Sequence, residues 1–426
     1  MSVYGKRLLV LGGTIASLDL VKCSKEMGIY TIVVSADGAI DSVREVANEC
    51  VTVSTTDFDE LKHLVNEKEI DGVFCGPSEF NIRNLLVLCE EMDLPCYTTV
   101  SVWNRCANKG VFKQCCREFG LDCPEEYAVS EASSDDELKM LPYPIIVKPT
   151  DASSSIGVTA CVDWTTVRDA CRHARAASPS GTIIVERFIE NDGLSFSVRY
   201  LLKDGNAYPY FLMDTYILDQ ENKEGLISHL SVSPSKHIEY YLPNIDAKMR
   251  WMLKEMGLTN GTAFIQALPY DGKLYFREMG YRLSGGMMFK LTEPLVGIND
   301  MKMMIAYALG EDRYTEQEMA NIDLHYSGYG LQLMIPLRAG TITAVEGLEE
   351  IKTMPVVTDF IQYYQVGNTV TDKVIGTLGQ HFGRFTIICD DLETAKSILH
   401  QIQETLRVFD ENGQQMNCYP FDTDRI

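Results

Sequence analysis

Apolar and polar residues along the first hundred positions alternate in two periods. RLLVLGG, TIVVSAD and DGVFCGP are short apolar runs of strand length, and between them lie a helical stretch near Ser17 to Met27 and the helix-period segment ELKHLVNEKEI. Short buried strands separated by amphipathic helices predict βαβ units around a parallel sheet. The turn after the first strand runs Gly12, Gly13, Thr14, Ile15, Ala16, Ser17. It lacks the Gly-x-Gly-x-x-Gly spacing that lets backbone reach a dinucleotide pyrophosphate, so it reads as a structural turn, with NAD binding as the runner-up.

From about Asn104 the pattern changes. A helix over Lys109 to Phe119 is followed by a Gly120-to-Pro124 turn and by the strands YPIIVKPT and GVTACVD, with a serine-rich loop between them. Another helix and the strand TIIVERFI follow. SFSVRYLL, AYPYFLM, GTAFIQALPY and KLYFREMGY then predict a mainly antiparallel sheet built of hairpins. The last portion, from roughly Leu324, holds a hairpin-like YGLQLMIPLRAGTI, a helix near Leu348, the strand FGRFTIICD and a helix over Leu392 to Leu406. There is no internal repeat or low-complexity tract.

Length and composition narrow the class. A chain of 426 residues exceeds what one core holds, so several packed units meeting around a cleft are expected. No apolar run has the length to cross a bilayer, and the N-terminus reads as a first strand and not as a signal peptide. Thirteen scattered cysteines without Cys-x-x-Cys pairs fit free thiols in a reducing cytoplasm. A net charge of −22 works against sequence-independent binding to nucleic acid or anionic lipid.

Two segments carry chemistry. In IIVKPTDASSSIGV, Lys148 ends a buried strand, and Ser153, Ser154, Ser155 and Gly157 follow in a loop whose small residues let N–H and hydroxyl groups approach phosphate oxygens. No Walker loop occurs anywhere. Lys109 opens the preceding helix, and IIVERFIE ends a strand with Glu186, Arg187, Phe188 and Ile189, whose backbone could pair with adenine between apolar walls. This order of features resembles the ATP-grasp superfamily, with carbamoyl-phosphate-synthetase-like and L-amino-acid-ligase-like carboxylate–amine ligases the most similar, over nearly the full chain. The resemblance implies an α/β and α+β multidomain fold. A Rossmann-like pre-ATP-grasp domain would span 1–105, the N-terminal ATP-grasp subdomain with its lid 106–190, the catalytic subdomain 191–323, and a small C-terminal α+β segment 324–426. It further implies that Lys109 and Lys148 contact ATP phosphates, that Ser153 to Gly157 form a mobile lid, and that Glu186 to Ile189 form the adenine hinge. The acidic residue usual for ribose falls near Gly193, so Glu190 or Asp192 would replace it.

The second segment is GTAFIQALPYDGKLYFREMGYRLSGG. A three-residue loop of Tyr270, Asp271 and Gly272 would pair Phe264 with Glu278 and Gln266 with Phe276, placing Gln266 and Glu278 on one face; a two-residue Asp-Gly loop would put them on opposite faces. Two oxygen ligands on neighbouring strands suit Mg2+, with Mn2+ possible. ATP-grasp enzymes show Glu-x-Asn-x-Arg here, with the glutamate bridging metals and the arginine steadying an acyl phosphate. Those roles fall to Glu278 and Arg282, while Gly280 stands in the asparagine's place. Ser284, Gly285 and Gly286 form a turn where backbone can approach an anion. His229 is a candidate neighbour of the transferred phosphate, and Glu79 and Arg83 of GPSEFNIRN are candidates on the substrate side.

The resemblance therefore implies an ATP- and Mg2+-dependent, ADP-forming carboxylate–amine ligase acting through an acyl phosphate. Its partners would be small-molecule carboxylate and amine substrates, with no nucleic acid or membrane, and it would be a cytoplasmic homodimer. The alternative is a non-catalytic, regulatory ATP-binding protein of the same fold.

Overall fold

The computed structural model describes residues 2–152, 156–218 and 227–426. Strands β1 (Arg7–Leu11), β2 (Tyr30–Val34), β3 (Glu49–Val51) and β4 (Gly72–Phe74) form a parallel sheet in the order β3-β2-β1-β4. Helices cover it, which is why the strands are continuously apolar: Leu8 to Leu11 and Ile32 to Val34 are fully buried. The glycine turn after β1 is a packing device. A Cβ on Gly13 would lie 2.6 Å from the Ala39 Cα, so only glycine lets the two loops meet there.

Three strands, β5 (Ile145–Pro149), β6 (Thr159–Cys161) and β7 (Ile183–Arg187), form a small antiparallel sheet in the order β6-β5-β7. Ile145, Val147 and Val185 point into a separate core under the helix Val167–Ala177. Period-two alternation then puts Ile146, Lys148 and Glu186 on the opposite face.

The largest sheet contains β8 (Leu194–Lys203), β9 (Asn206–Ile217), β10 (Ser228–Ser233), β11 (Gly261–Tyr270), β12 (Lys273–Gly280) and β13 (Tyr329–Pro336). Two short pairs, β14 (Gly340–Thr341) with β17 (Thr369–Val370) and β15 (Ala344–Glu346) with β19 (Arg407–Phe409), stand beside it, while β16 (Val357–Gln362) and β18 (His381–Cys389) complete it. Its order is β12-β11-β8-β9-β10-β13-β18-β16, antiparallel throughout.

Two sequence expectations change here. YGLQLMIPLRAGTI does not fold back on itself: β13 has both edges filled, by β10 and β18, so the residues after it find their partner in β17. The sheet also runs across the boundary expected at 323/324, because β10 would otherwise present an open edge. One face of this sheet is apolar, with Phe196, Val198, Ile265 and Met279 in the main core and Leu230, Leu331, Leu333 and Phe385 in a second core. The other face carries Glu278, Gln266, Ser195, Ser197, Arg199, Thr215, Ser231, Gln332, Arg384 and Thr386, a polar stripe crossing seven strands.

Candidate active site

The β11–β12 hairpin closes with the two-residue loop Asp271–Gly272, at φ +47 and +71, between the paired Tyr270 and Lys273. Asp-Gly with both residues left-handed is the turn that matches strand twist. The three-residue loop and the pairs Phe264 with Glu278 and Gln266 with Phe276 are therefore incorrect. A bulge between Gln266 and Ala267 absorbs Arg277 as an extra residue, so the ladder resumes with Gln266 opposite Glu278 and Phe264 opposite Gly280. Both carboxamide and carboxylate end up on the polar face, by a bulge and not by loop length.

Four cations converge on this pair and its surroundings. Lys109 begins the helix Lys109–Glu118, which Asn108 caps by accepting from the N–H groups of Gly110 and Val111. Its Nζ lies 3.4 Å from Glu278 Oε2 and donates to the Ala152 carbonyl at 2.7 Å. Arg277 donates to Gln266 Oε1 at 2.8 Å and lies 3.6 Å from Glu278 Oε1. Lys148 pairs with the Oε1 of Glu186, diagonally across from it on β7. Lys113, one turn beyond Lys109 and fully buried, pairs with the other oxygen of Glu186 and lies 3.6 Å from Glu126. Burial pushes the Glu278 carboxyl up, but Lys109, Arg277 and Lys148 outweigh it and hold the group at about 2.

Arg282 reaches the first domain. Its guanidinium donates to Glu79 Oε1 at 2.7 and 3.1 Å and lies over the Phe264 ring, 5.1 Å from the centroid. Glu79 starts the helix Glu79–Met92, so the GPSEFNIRN segment does meet the β12 end. Arg83 does not join it and stacks on Trp103.

The Phe264–Gly280 pair leaves no room for a side chain at position 280. A Cβ on Gly280 would lie 2.4 Å from the Phe264 Cζ, so the ring occupies the space that a side chain at 280 would need. Gly280→Asn is expected to cost about 2 kcal/mol in unfolding free energy, and Phe264→Ala in the same chain should relieve the overpacking. Equal denaturation midpoints for Gly280→Asn and the parent would contradict this packing.

A cavity of about 700 Å³ opens from Lys148 and Glu186 along Arg187, Phe188, Ile189 and Glu190. Ile146 and Leu268 supply apolar wall, and Asp192 lines the same space. Its far wall, Cys418 to Asp422 with Arg425, comes from the C-terminus, which the sequence reading left out. Tyr419 and Phe421 in an otherwise polar tail were the available signal. His229 also lines the cavity, edge-to-face on Phe421 at 5.4 Å, and burial pushes its pKa down to about 3, so it is neutral at ordinary pH. Gly157, at φ +74, packs its Cα side against Ala177, where a Cβ would approach to 2.5 Å. Ser153, Ser154 and Ser155 lie outside the described residues.

Gln266 and Glu278 together offer two oxygens to a hard cation, and among the described residues no cluster of three or more His, Cys, Asp or Glu could complete a shell. A magnesium ion fits this pair if phosphate oxygens and water supply the rest.

Residues 121–208 match the family model described as the D-ala D-ala ligase C-terminus. In solved structures, the chain superimposes on an L-amino acid ligase from Bacillus licheniformis with a TM-score of 0.79, at 19% identity, over 96% of this chain and 100% of that one. The fold is the ATP-grasp fold. It is shared with the biotin carboxylase domain of the Hydrogenobacter thermophilus 2-oxoglutarate carboxylase, crystallised with MgADP, ADP and bicarbonate, at a TM-score of 0.74 and 18% identity over 96% and 91% of the two chains. In sequence, a formate-dependent phosphoribosylglycinamide formyltransferase from Parabacteroides distasonis is 25% identical over 151 residues, 35% of this chain and 38% of that protein. A D-alanine--D-alanine ligase from an Anaeromyxobacter species is 34% identical over 94 residues, 21% and 30%. The similarity thus spans well under half the length of these curated relatives. Among the described residues, no helix is long and apolar enough to cross a membrane.

Proposed function

We propose that the chain is an ADP-forming carboxylate–amine ligase that binds ATP with magnesium between the three-stranded and eight-stranded sheets. The observation that carries this reading is the convergence of Lys109 on Glu278, 3.4 Å apart, opposite Gln266 and next to a cavity whose apolar wall begins at Lys148. In it, adenine lies against Ile146, Ile189 and Leu268 and pairs with the backbone of Glu186 to Ile189, with Glu190 or Asp192 toward the ribose. Lys148 and Lys109 exchange their carboxylate partners for phosphate oxygens.

Gln266 and Glu278 would hold magnesium, which when bound neutralises charge on the triphosphate. A carboxylate oxygen of the acid substrate attacks the γ-phosphorus, the bond to the ADP oxygen breaks, and an acyl phosphate forms. Arg282, held by Glu79, offsets the charge on that acyl phosphate. The amine lone pair then attacks the acyl carbon, phosphate leaves, and the amine loses a proton. The thirteen unpaired cysteines and the acidic surface support a reducing, cytoplasmic setting for this reaction, and the reading includes a homodimer.

One observation favours the second reading, a regulatory ATP-binding protein: Phe264 fills the space of the family's metal-binding asparagine. ADP release measured over pairs of L-amino acids and short carboxylic acids separates the two. Release that requires both an acid and an amine is expected; ATP binding with no release from any pair would favour the regulatory protein.

A further inference from the structure

The polar stripe does not end at the phosphate side of the sheet. It continues through Thr215 and Ser231, whose hydroxyls are 2.9 Å apart, to Gln332, Thr386 and Arg384 on the two strands of the C-terminal segment. Arg384 is 96% buried, being 4% exposed, yet its Nε and Nη2 have no hydrogen-bond partner among the described residues. Its remaining nitrogen, Nη1, donates to the Gly285 carbonyl at 3.2 Å. Ser284 Oγ and Thr386 Oγ1 are likewise buried without partners. Asp359 on β16 faces Thr386 but is taken by Lys290 at 2.7 Å, and among the described residues no carboxylate pairs with the guanidinium.

A buried guanidinium with two idle donors is unfavourable unless something anionic completes it. The fork of an arginine side chain matches a carboxylate, which can accept two parallel N–H bonds. The loop that Arg384 touches is the one that carries Arg282: Gly285 accepts from Arg384, and Gly286 accepts from Gln332 at 2.6 Å. An anion held by Arg384 and Ser284 is therefore bound to the loop assigned above to the acyl phosphate. We propose that Arg384, with the Ser284 hydroxyl as second donor, captures the acid substrate by its carboxylate. The hydroxyls of Thr215, Ser231 and Thr386 along the same stripe fit a small hydrophilic acid, of the amino-acid or hydroxy-acid kind, better than an aliphatic one. This rests on the ligase reading for what happens to the acid after capture.

The test is carboxylate binding to the full chain, loaded with a non-hydrolysable ATP analogue and magnesium, followed by thermal shift and calorimetry with acetate, glycine and lactate as probes. At least one probe is expected to bind the parent protein. Arg384→Gln should weaken it about tenfold or more, Arg384→Lys less, and Ser284→Ala by a few fold, with nucleotide affinity unchanged in all three. Should Arg384→Gln not fold, Arg384→Lys and Ser284→Ala carry the comparison. Parent-like carboxylate affinity in the variants, or no binding of any probe by the parent, overturns the proposal. Carboxylate binding that depends on Arg384 but is never followed by ADP release would leave this site standing and remove the ligase reading. ADP release with an unchanged KM for the acid in Arg384→Gln would do the reverse.

Discussion

Glu278→Gln is expected to lower ADP release by about 10²- to 10³-fold while nucleotide affinity changes only a few fold. The amide keeps the shape and the cross-strand position opposite Gln266 but removes the charge on which Lys109 and Arg277 converge, at 3.4 and 3.6 Å. On the proposed reading, a lost charge at the reacting phosphate would affect the transition state more than nucleotide binding, because the adenine would lie against Ile146, Ile189 and Leu268, away from Glu278. Turnover within threefold of the parent would remove Glu278 from the reaction. The same variant has a pH signature. The native carboxyl titrates at about 2 because the neighbouring cations overcome burial, whereas in the unfolded chain it titrates near the ordinary carboxylate value. Its contribution to stability is thus present above the unfolded value and is lost as pH falls toward 2. Near pH 3 the parent should take up about one more proton on unfolding than Glu278→Gln does, measurable as a steeper fall of unfolding free energy with acid.

Glu186→Gln should be the most destabilising single change near the site, by about 3 kcal/mol. Glu186 is 2% exposed, and its two oxygens face Lys148 and Lys113 from opposite sides, so the substitution leaves two buried ammonium groups sharing no carboxylate between them. Lys113 keeps only the longer contact to Glu126. Because ATP would bring phosphate oxygens to Lys148, saturating nucleotide should recover part of the loss, which calorimetric melting with and without ATP will read. A melting temperature equal to the parent's without nucleotide would show that the three groups are not an ion-paired unit.

What could be read from the sequence depended on how local the cause was. Lys148 and Glu186 lie on strands with a clean period of two, and Lys109 follows a capping asparagine, so these positions are fixed by residues within a few places along the chain. The hairpin was different. Asp-Gly correctly calls for a two-residue turn, but the bulge at Arg277 that returns Glu278 to the polar face is a feature of how β12 pairs with β11, which no local pattern carries. Gly280 looked like a lost ligand because the ring that fills its space comes from the opposite strand. Lys113 was overlooked for another reason: it stands four residues after Lys109 on the same helix face, but a lysine is rarely fully buried, so the spacing did not point to an interior ion pair. The C-terminal wall of the cavity reaches the site only through contacts distant in sequence, and Arg384 takes its place in the polar stripe only through long-range strand order.

The separate core beneath β5, β6 and β7 has a mechanical corollary. Lys148 and Glu186 ride on that small unit, whereas Lys113 belongs to a helix whose Phe112 and Cys116 are part of the main core. Swinging the small unit away from the rest must pull Glu186 off Lys113, so this interior ion pair is a latch that ties the small core to the main one.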